Sequence, residues 1–334
     1  MAGWNLKKGE YLGSGVGEDE LWSLFNYVFS DASKKTNTYK FGLIKSICDH
    51  VYSLKNENGM YFLSFDSLFA KFTENYWNLV NKYELKQMSY NGKSEYSRIE
   101  SIIKGAVNDS EIPQGVSFMS LPEKEKSRII RLVTTDCKRC VVGALYNDFS
   151  GKLYSFDLKG YGIYLGYEAY NFLSKYKAEI ERLNYYAWAR FLETVNDDEA
   201  LIKVLQKLDN ATPKRTDLSM YQMILYKEFR ENSCFYCGKK LGDDMHVDHF
   251  IPWSFVKTDN LWNFVLACPN CNIKKSNYLA NEGFVKKIEH RNKNITSDMM
   301  ASSIIENEFA NYYHGLIHKI WNYAKMSGLR EKNI

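Results

Sequence analysis

The chain has 334 residues and a formal net charge of +4, from 44 basic and 40 acidic side chains. Hydrophobic residues make up 45% and charged residues 25%, proportions typical of a soluble globular protein with two or three domains. The net charge is too small to require a nucleic-acid partner, and it does not exclude one. No run of about 18 apolar residues occurs, which excludes a transmembrane helix and predicts no membrane partner.

The cysteine content indicates the redox compartment. The chain contains seven cysteines, and four of them fall in closely spaced pairs typical of metal sites. This usage predicts reduced thiols rather than disulfides. The N-terminal sequence MAGWNLKKGEYLG also lacks the apolar core of a signal peptide. We therefore expect a cytoplasmic protein.

Residues 1–136 are predicted to form a mainly helical domain. Apolar residues in Ile44–Val51 follow the i, i+3, i+4, i+7 spacing of a helix with one buried face. A second stripe occupies Phe65–Leu79, and Ser64 is predicted to cap that helix. The two helices are compatible with DNA recognition, but a packed helical domain that binds no ligand directly is the favoured interpretation.

Residues 137–212 are predicted to contain a β-hairpin and a long connecting helix. The Cys-x-x-Cys pair at 137–140 precedes β-branched residues and is interpreted as the start of a strand, with structural thiols favoured over a redox or metal role. Residues 141–165 predict a hairpin centred on 149–151. Helical spacing of apolar residues follows from 167 to about 196.

The turn Asn210–Pro213 is the predicted boundary before a third region, residues 213–334. This region contains a motif-rich stretch, Cys234–Asn277, and a closing helix. His314 and His318 in that helix have the i, i+4 spacing of metal ligands but no acidic residue between them. They are interpreted as surface or packing histidines.

Two Cys-x-x-Cys pairs frame the motif-rich stretch. Each pair can offer two thiolates to one tetrahedral Zn²⁺, and four sulfurs leave no open position for chemistry. The spacing therefore predicts a structural zinc site that ties the base of the intervening loop. Its ligands would be Cys234, Cys237, Cys268 and Cys271.

Polar groups concentrate inside that loop. His246, Asp248 and His249 lie in an apolar segment that reads as a strand, and Pro252 indicates where the strand ends. Carboxylate oxygens bind hard divalent cations, whereas a histidine can take a proton from water near neutral pH. A second strand is predicted at residues 264–267, and a helix starts after it. The predicted order is strand, loop, strand, helix.

This stretch resembles the HNH endonucleases, a family with a ββα-metal fold that hydrolyses phosphodiester bonds. The resemblance is specific over about 45 residues, including the Ser-Phe-x-Lys run that follows the proline. The residues that carry it are Asp248-His249-x-x-Pro252, Asn263 and Asn272-x-x-Lys275.

The resemblance implies a role for each matching residue. His249 would be the general base, while Asp248 and Asn272 would hold a catalytic Mg²⁺ or Mn²⁺. Asn263 would brace the loop and help to orient His249. Lys275 would be a phosphate contact.

The role of His246 stays open, because the family pattern does not fix it: the side chain either faces the site or packs. The elements predicted from apolar spacing, together with the ββα-metal domain that the resemblance implies, predict an α+β fold with three parts. These are a mainly helical N-terminal region with a β-hairpin, a zinc-stapled ββα-metal (HNH) nuclease domain, and a C-terminal helix.

The implied function is metal-dependent hydrolysis of DNA in restriction or phage defence. We expect the DNA to be double-stranded. A double-strand cut usually needs two active sites, so a homodimer is expected. Two alternatives remain open. One is a zinc-stabilised nucleic-acid-binding module without catalysis, and the other is a nuclease directed at RNA.

Overall fold

The computed structural model describes residues 5–90, 92–210, 217–296 and 303–334. Within these residues, no helix is long and apolar enough to cross a membrane. The predicted turn Asn210–Pro213 lies largely outside the described residues. The three-part division drawn from the sequence therefore stays a prediction.

The fold is α+β, and the chain divides into two compact units. The first consists of Met1–Leu173 and Glu179–Lys214. The second consists of Ser174–Ala178 and Arg215–Ile334. Each unit is described below by itself.

The first unit contains a five-stranded antiparallel sheet. Its strand order is β1-β4-β5-β3-β2, so strands from the start and the middle of the unit pair with one another. Positive φ angles at Asn58 and Gly59 form the tight turn between β2 and β3. The strands are β1 (Lys8–Gly9), β2 (Lys55–Glu57), β3 (Met60–Ser64), β4 (Tyr154–Asp157) and β5 (Gly162–Leu165).

Helices cover the buried face of this sheet and make up most of the first unit. A π-helical turn, Asn78–Lys82, continues α3, and short 3₁₀ turns occupy Val51–Ser53 and Phe118–Ser120. The helices are α1 (Glu18–Phe29), α2 (Tyr39–His50), α3 (Phe65–Trp77), α4 (Arg98–Asp109), α5 (Glu123–Asp148), α6 (Tyr167–Glu193), α7 (Asp198–Leu201) and α8 (Val204–Asp209).

The predicted cap of α3 is confirmed. The Ser64 hydroxyl accepts a hydrogen bond from the Ser67 backbone N–H at 3.1 Å. This bond satisfies one of the amide groups that have no partner in the first turn of a helix. The apolar stripe from Phe65 to Leu79 is buried, as the helical spacing predicts.

The strand predicted to begin at residues 137–140 is wrong, because this segment lies inside the 26-residue helix α5. The buried residues Ile129, Val133, Cys137 and Val141 recur every four positions, which is a helical period. Local β propensity at Val141-Val142 was therefore overridden by burial of one helix face. Cys137 is buried and Cys140 is exposed, so the two thiols do not share one environment.

The hairpin exists, but its turn lies further along the chain than predicted. Residues 149–151 form the turn that follows α5, with Phe149 as its C-cap and positive φ at Ser150 and Gly151. The hairpin itself pairs β4 with β5, and its turn occupies residues 158–161. The long helix predicted after it is confirmed as α6, which has one non-helical residue at Tyr176.

The second unit contains a small antiparallel pair, β6 and β7, followed by a helix. A 3₁₀ turn, Leu261–Asn263, precedes β7, and a separate parallel pair joins β8 to β9. The elements are α9 (Ser219–Lys227), β6 (His246–His249), α10 (Trp253–Val256), β7 (Phe264–Ala267), α11 (Pro269–Lys275), β8 (Leu279–Ala280), α12 (Glu282–Thr296), α13 (Ser303–Phe309), α14 (Leu316–Met326) and β9 (Glu331–Lys332).

Candidate functional site

Four cysteines from two separate turns meet in the second unit. Their sulfur atoms all lie within 4.8 Å of one another, and the Sγ atoms of Cys237 and Cys268 are 3.9 Å apart. Cys234 and Cys271 are buried, whereas Cys237 is exposed. This is the only group of three or more potential metal ligands found among the described residues.

Local backbone structure brings the two pairs together. In the first pair, the Cys234 N–H donates to the Lys239 carbonyl at 2.8 Å, and Gly238 takes a positive φ. The second pair begins α11, with Cys268 as the N-cap and Pro269 in the first turn. The Phe235 N–H donates to the Leu266 carbonyl of β7 at 2.9 Å. This bond attaches the turn of the first cysteine pair to the strand that directly precedes the second pair.

The thiols differ in their tendency to ionise. A backbone hydrogen bond at Lys239 lowers the pKa of the Cys237 thiol to about 7. Burial raises the pKa of the Cys271 thiol above its usual value. Four convergent sulfurs at these distances fit tetrahedral Zn²⁺, whose ligands are thiolates. The cluster thus suggests a structural zinc site.

The segment between the cysteine pairs forms the predicted strand, loop, strand and helix. In the antiparallel pair, His246 lies opposite Ala267, and His249 lies opposite Phe264. The helix α11 follows β7 directly. Successive side chains on a strand point to opposite faces, so the neighbours Asp248 and His249 face different surroundings.

Asp248 belongs to a buried polar group. Its Oδ2 atom accepts a hydrogen bond from the Tyr236 hydroxyl at 2.5 Å and lies 3.0 Å from the Lys275 ammonium. Lys275 also donates to the His249 carbonyl oxygen at 2.7 Å. Burial and the Asp248 charge raise the pKa of Tyr236 well above its usual value, so its hydroxyl stays protonated and donates.

The structure gives Lys275 a different position from the one that a phosphate contact needs. Its side chain has 0% exposure, and its ammonium is the internal counter-ion of Asp248. The neighbouring Lys274 is exposed. The resemblance suggested a phosphate contact at Lys275, but in this structure the residue holds the carboxylate and the end of β6 in place.

We expect Lys275→Met to lower the free energy of unfolding by about 3–5 kcal/mol, because it leaves the Asp248 carboxylate buried without its counter-ion. Urea denaturation of the zinc-loaded protein measures this loss. Lys274→Met, one residue earlier and exposed, serves as the control and is expected to change stability little. Equal stability of both variants would contradict the internal role of Lys275.

His249 is almost fully buried and is held on two sides. Its Nε2 atom lies 2.8 Å from an Asp259 carboxylate oxygen. The ring of Phe264 packs edge-on against the imidazole, with centroids 4.6 Å apart and planes at 75°. Only 2% of His249 is exposed.

Asn263 braces the loop that follows β6. Its side-chain oxygen accepts from the Ile251 N–H at 2.9 Å, and its amide donates to the Ile251 carbonyl at 3.0 Å. The Asn263 carbonyl also accepts from the Phe250 N–H at 2.8 Å. Asn263 therefore acts on the backbone directly after His249 rather than on the imidazole ring.

Replacing Asn263 with alanine is expected to reduce the free energy of unfolding by roughly 2–4 kcal/mol, since both Ile251 backbone groups lose their buried partner. The measurement is again denaturant unfolding at constant zinc. Asn307→Ala, at an exposed position on α13, controls for the loss of an amide side chain. An undiminished stability of Asn263→Ala would refute the bracing role.

Asn272 and His246 make fewer contacts. Asn272 lies on α11, is partly exposed, and its side chain makes no hydrogen bond within the described residues. It is therefore available as a ligand, while Asp248 offers a buried carboxylate on the adjacent strand. His246 is exposed at the start of β6 and is not packed in the interior.

The ββα arrangement, the Asp-His pair and the four-cysteine cluster define a ββα domain with a possible zinc site. Residues 234–278 match the family model described as HNH endonuclease. The second unit thus contains an HNH endonuclease domain, a finding that supports a nuclease-type function and a nucleic-acid substrate. Neither the curated proteins nor the solved structures include a significant match to this chain.

The sequence did not single out two residues that contact the predicted site. Tyr236 lies between the cysteines of the first pair, and Asp259 lies in the loop after α10. Neither belongs to a spacing pattern that indicates metal binding or catalysis. Both are polar residues inside a segment that is otherwise rich in buried apolar side chains. This contrast is the only sequence signal that indicates either residue.

Proposed function

We propose that this chain is a metal-dependent endonuclease that hydrolyses DNA phosphodiester bonds. The observation that carries the proposal is His249, a buried residue that directly follows Asp248 on β6 within a segment that matches a nuclease family. A phosphodiester resists attack because its oxygens repel the nucleophile. Catalysis therefore needs both a base for water and neutralisation of negative charge.

The residues assigned to a catalytic cation are Asp248 and Asn272. Their carboxylate and amide oxygens are the donors that Mg²⁺ and Mn²⁺ prefer. When bound, the cation would supply positive charge to the phosphate oxygens and to the leaving 3′ oxygen. Tyr236 and Lys275 fix the orientation of the Asp248 carboxylate before any cation arrives.

His249 is assigned the proton transfer. Its imidazole takes a proton from water, and the resulting hydroxide attacks phosphorus in line with the bond to the 3′ oxygen. The products are a 5′ phosphate and a 3′ hydroxyl. Asn263 fixes the backbone after His249, which limits the movement of the base.

The direct test incubates the purified protein with plasmid DNA and Mg²⁺ or Mn²⁺, with an EDTA control. Cleavage with either cation, abolished by EDTA, is the expected result. Sequencing the cut ends then distinguishes a double-strand cut by a homodimer from single-strand nicking. Parallel reactions with RNA of the same sequence test the alternative substrate. No cleavage of either nucleic acid would contradict the proposal.

One observation favours a second candidate, a zinc-stabilised module that binds nucleic acid without cutting it. Both oxygens of Asp248 already have partners, and His249 is 2% exposed. Such a module would retard DNA in a gel-shift assay and leave it intact with every cation tested. The nuclease proposal predicts cleavage products in the same reactions.

The biological setting that we infer is restriction or phage defence, in the cytoplasm. Its support is the sequence resemblance described above. Phage plaque counts on bacteria that express the chain, compared with the His249→Ala variant, test this role. Equal plaque counts on the two strains would contradict it.

A further inference from the structure

The partner of His249 identifies a residue that the family pattern does not assign. Asp259 lies ten residues after His249, and one of its carboxylate oxygens is 2.8 Å from Nε2. The Asp259 side chain is only 17% exposed, so water screens the contact weakly. An ionised carboxylate accepts hydrogen bonds and cannot donate them. Nε2 must therefore carry the proton in this contact.

This assignment fixes the chemistry of the other ring nitrogen. In a neutral imidazole only one nitrogen carries a proton, so Nδ1 keeps its lone pair. Nδ1 has no hydrogen-bond partner in the described part of the chain. The contact with Asp259 thus selects the tautomer in which Nδ1 can accept a proton from water.

The loop that carries Asp259 is held by residues outside the matched segment 234–278. Glu308, on α13, accepts a hydrogen bond from the Leu261 backbone N–H at 3.2 Å. Its other oxygen accepts from the Tyr221 hydroxyl of α9 at 3.3 Å. The Tyr221 ring packs against Phe264, with centroids 4.7 Å apart, and Phe264 contacts His249.

The environment of Tyr221 supports the same arrangement. Burial raises the pKa of its hydroxyl above the usual value, and the negative charges of Glu308 and Asp259 raise it further. The hydroxyl therefore stays protonated and donates to Glu308. Tyr221 precedes the matched segment 234–278 and Glu308 follows it, yet Glu308 bonds to the loop beside the imidazole and Tyr221 bonds to Glu308.

We propose that Asp259 is the positioning residue of His249, and that Glu308 and Tyr221 hold the loop that presents it. This inference rests on the proposed nuclease function. When Nδ1 of His249 takes a proton from water, the ring becomes a cation, and the Asp259 carboxylate stabilises that cation through Nε2–H. The hydroxide formed attacks phosphorus, the bond to the 3′ oxygen breaks, and that oxygen takes a proton from solvent.

Cleavage kinetics of the full chain test the positioning role. Asp259→Asn is expected to lower kcat by about 10–100-fold with little change in KM for DNA, as for other residues that orient a functional histidine. Asp259→Glu, which keeps the carboxylate, should recover part of this loss. Glu308→Gln should show a smaller loss. Asp243→Asn and Glu306→Gln, at exposed positions in the same unit, are the controls.

Two outcomes would overturn the inference. One is wild-type kcat in Asp259→Asn. The other is a loss of kcat that accompanies equal losses of zinc content and unfolding midpoint, because that pattern would mark a structural residue. If the wild-type protein cleaves no nucleic acid, the proposed nuclease function fails. The contact between Asp259 and His249 can still be tested, by a measurement that needs no cleavage activity.

The test without activity uses ¹⁵N spectra of the histidine rings. The chain has six histidines, and His249→Asn identifies the signals that belong to His249. The expected wild-type pattern is a single tautomer protonated at Nε2, which Asp259→Ala, a variant without an acceptor at this position, converts to a mixture. An unchanged His249 pattern in Asp259→Ala would overturn the contact itself.

Discussion

Replacing His249 with alanine is expected to lower kcat for DNA cleavage by about 10³-fold, in the range that general acid–base catalysis contributes. The physical reason is that His249 is the side chain assigned to take a proton from water, and the other histidine of β6 lies in a different environment. His246, two residues earlier, is exposed and lies across from Ala267. Water would then have to attack the phosphodiester without a base.

Because His249 is buried, its removal must be separated from loss of folding. His249→Asn provides a second variant that keeps a polar side chain of moderate size. Both variants should retain zinc and DNA binding, measured by elemental analysis and gel shift. His290→Ala, at an exposed position on α12, controls for the loss of a histidine. Wild-type cleavage by a folded His249→Ala protein would eliminate His249 as the base.

Replacing Cys271 with serine is expected to unfold the region between the cysteine pairs and to abolish cleavage. Zinc contributes roughly 10–16 kcal/mol to the folding of small zinc modules, far more than the net stability of most domains. Cys271 is buried in the first turn of α11, and a serine oxygen there cannot replace the zinc–sulfur bond. Loss of zinc should therefore unfold both β6 and α11.

Zinc content and circular dichroism measure this prediction. The wild-type chain should contain about one zinc, and Cys271→Ser should contain much less. Cys140→Ser is the matched control, because Cys140 is exposed and lies outside the cluster. Full zinc content and an unchanged spectrum in Cys271→Ser would argue against a four-cysteine site.

The sequence predicted the nuclease domain well because its signals are local. Two Cys-x-x-Cys pairs at the right spacing identify a metal cluster without knowledge of the fold, and the Asp-His pair marks one strand. The order of β6, β7 and α11 follows from short apolar runs and Pro269. Each of these features is contained within a few residues of the chain.

Other features depended on contacts that are distant in the chain. Lysine is usually exposed, so nothing in the sequence indicates that Lys275 is buried against Asp248. Asp259 meets His249 through the folded loop, and Glu308, which accepts from the Leu261 N–H of that loop, lies about 50 residues further along the chain. The error at residues 137–148 had a related cause, since two β-branched residues outweighed the four-residue period of a long helix.

The division of α6 has a practical consequence for anyone who wishes to isolate the nuclease module. Residues 174–178 of this helix belong to the second unit, although the residues on both sides belong to the first. The second unit is therefore discontinuous in sequence. A fragment that begins at residue 215 would lack residues 174–178 of the second unit. One of these residues is Lys177, whose ammonium donates to the Phe255 carbonyl at 3.4 Å. Transplanting the HNH segment into another scaffold would require a substitute for that helical turn.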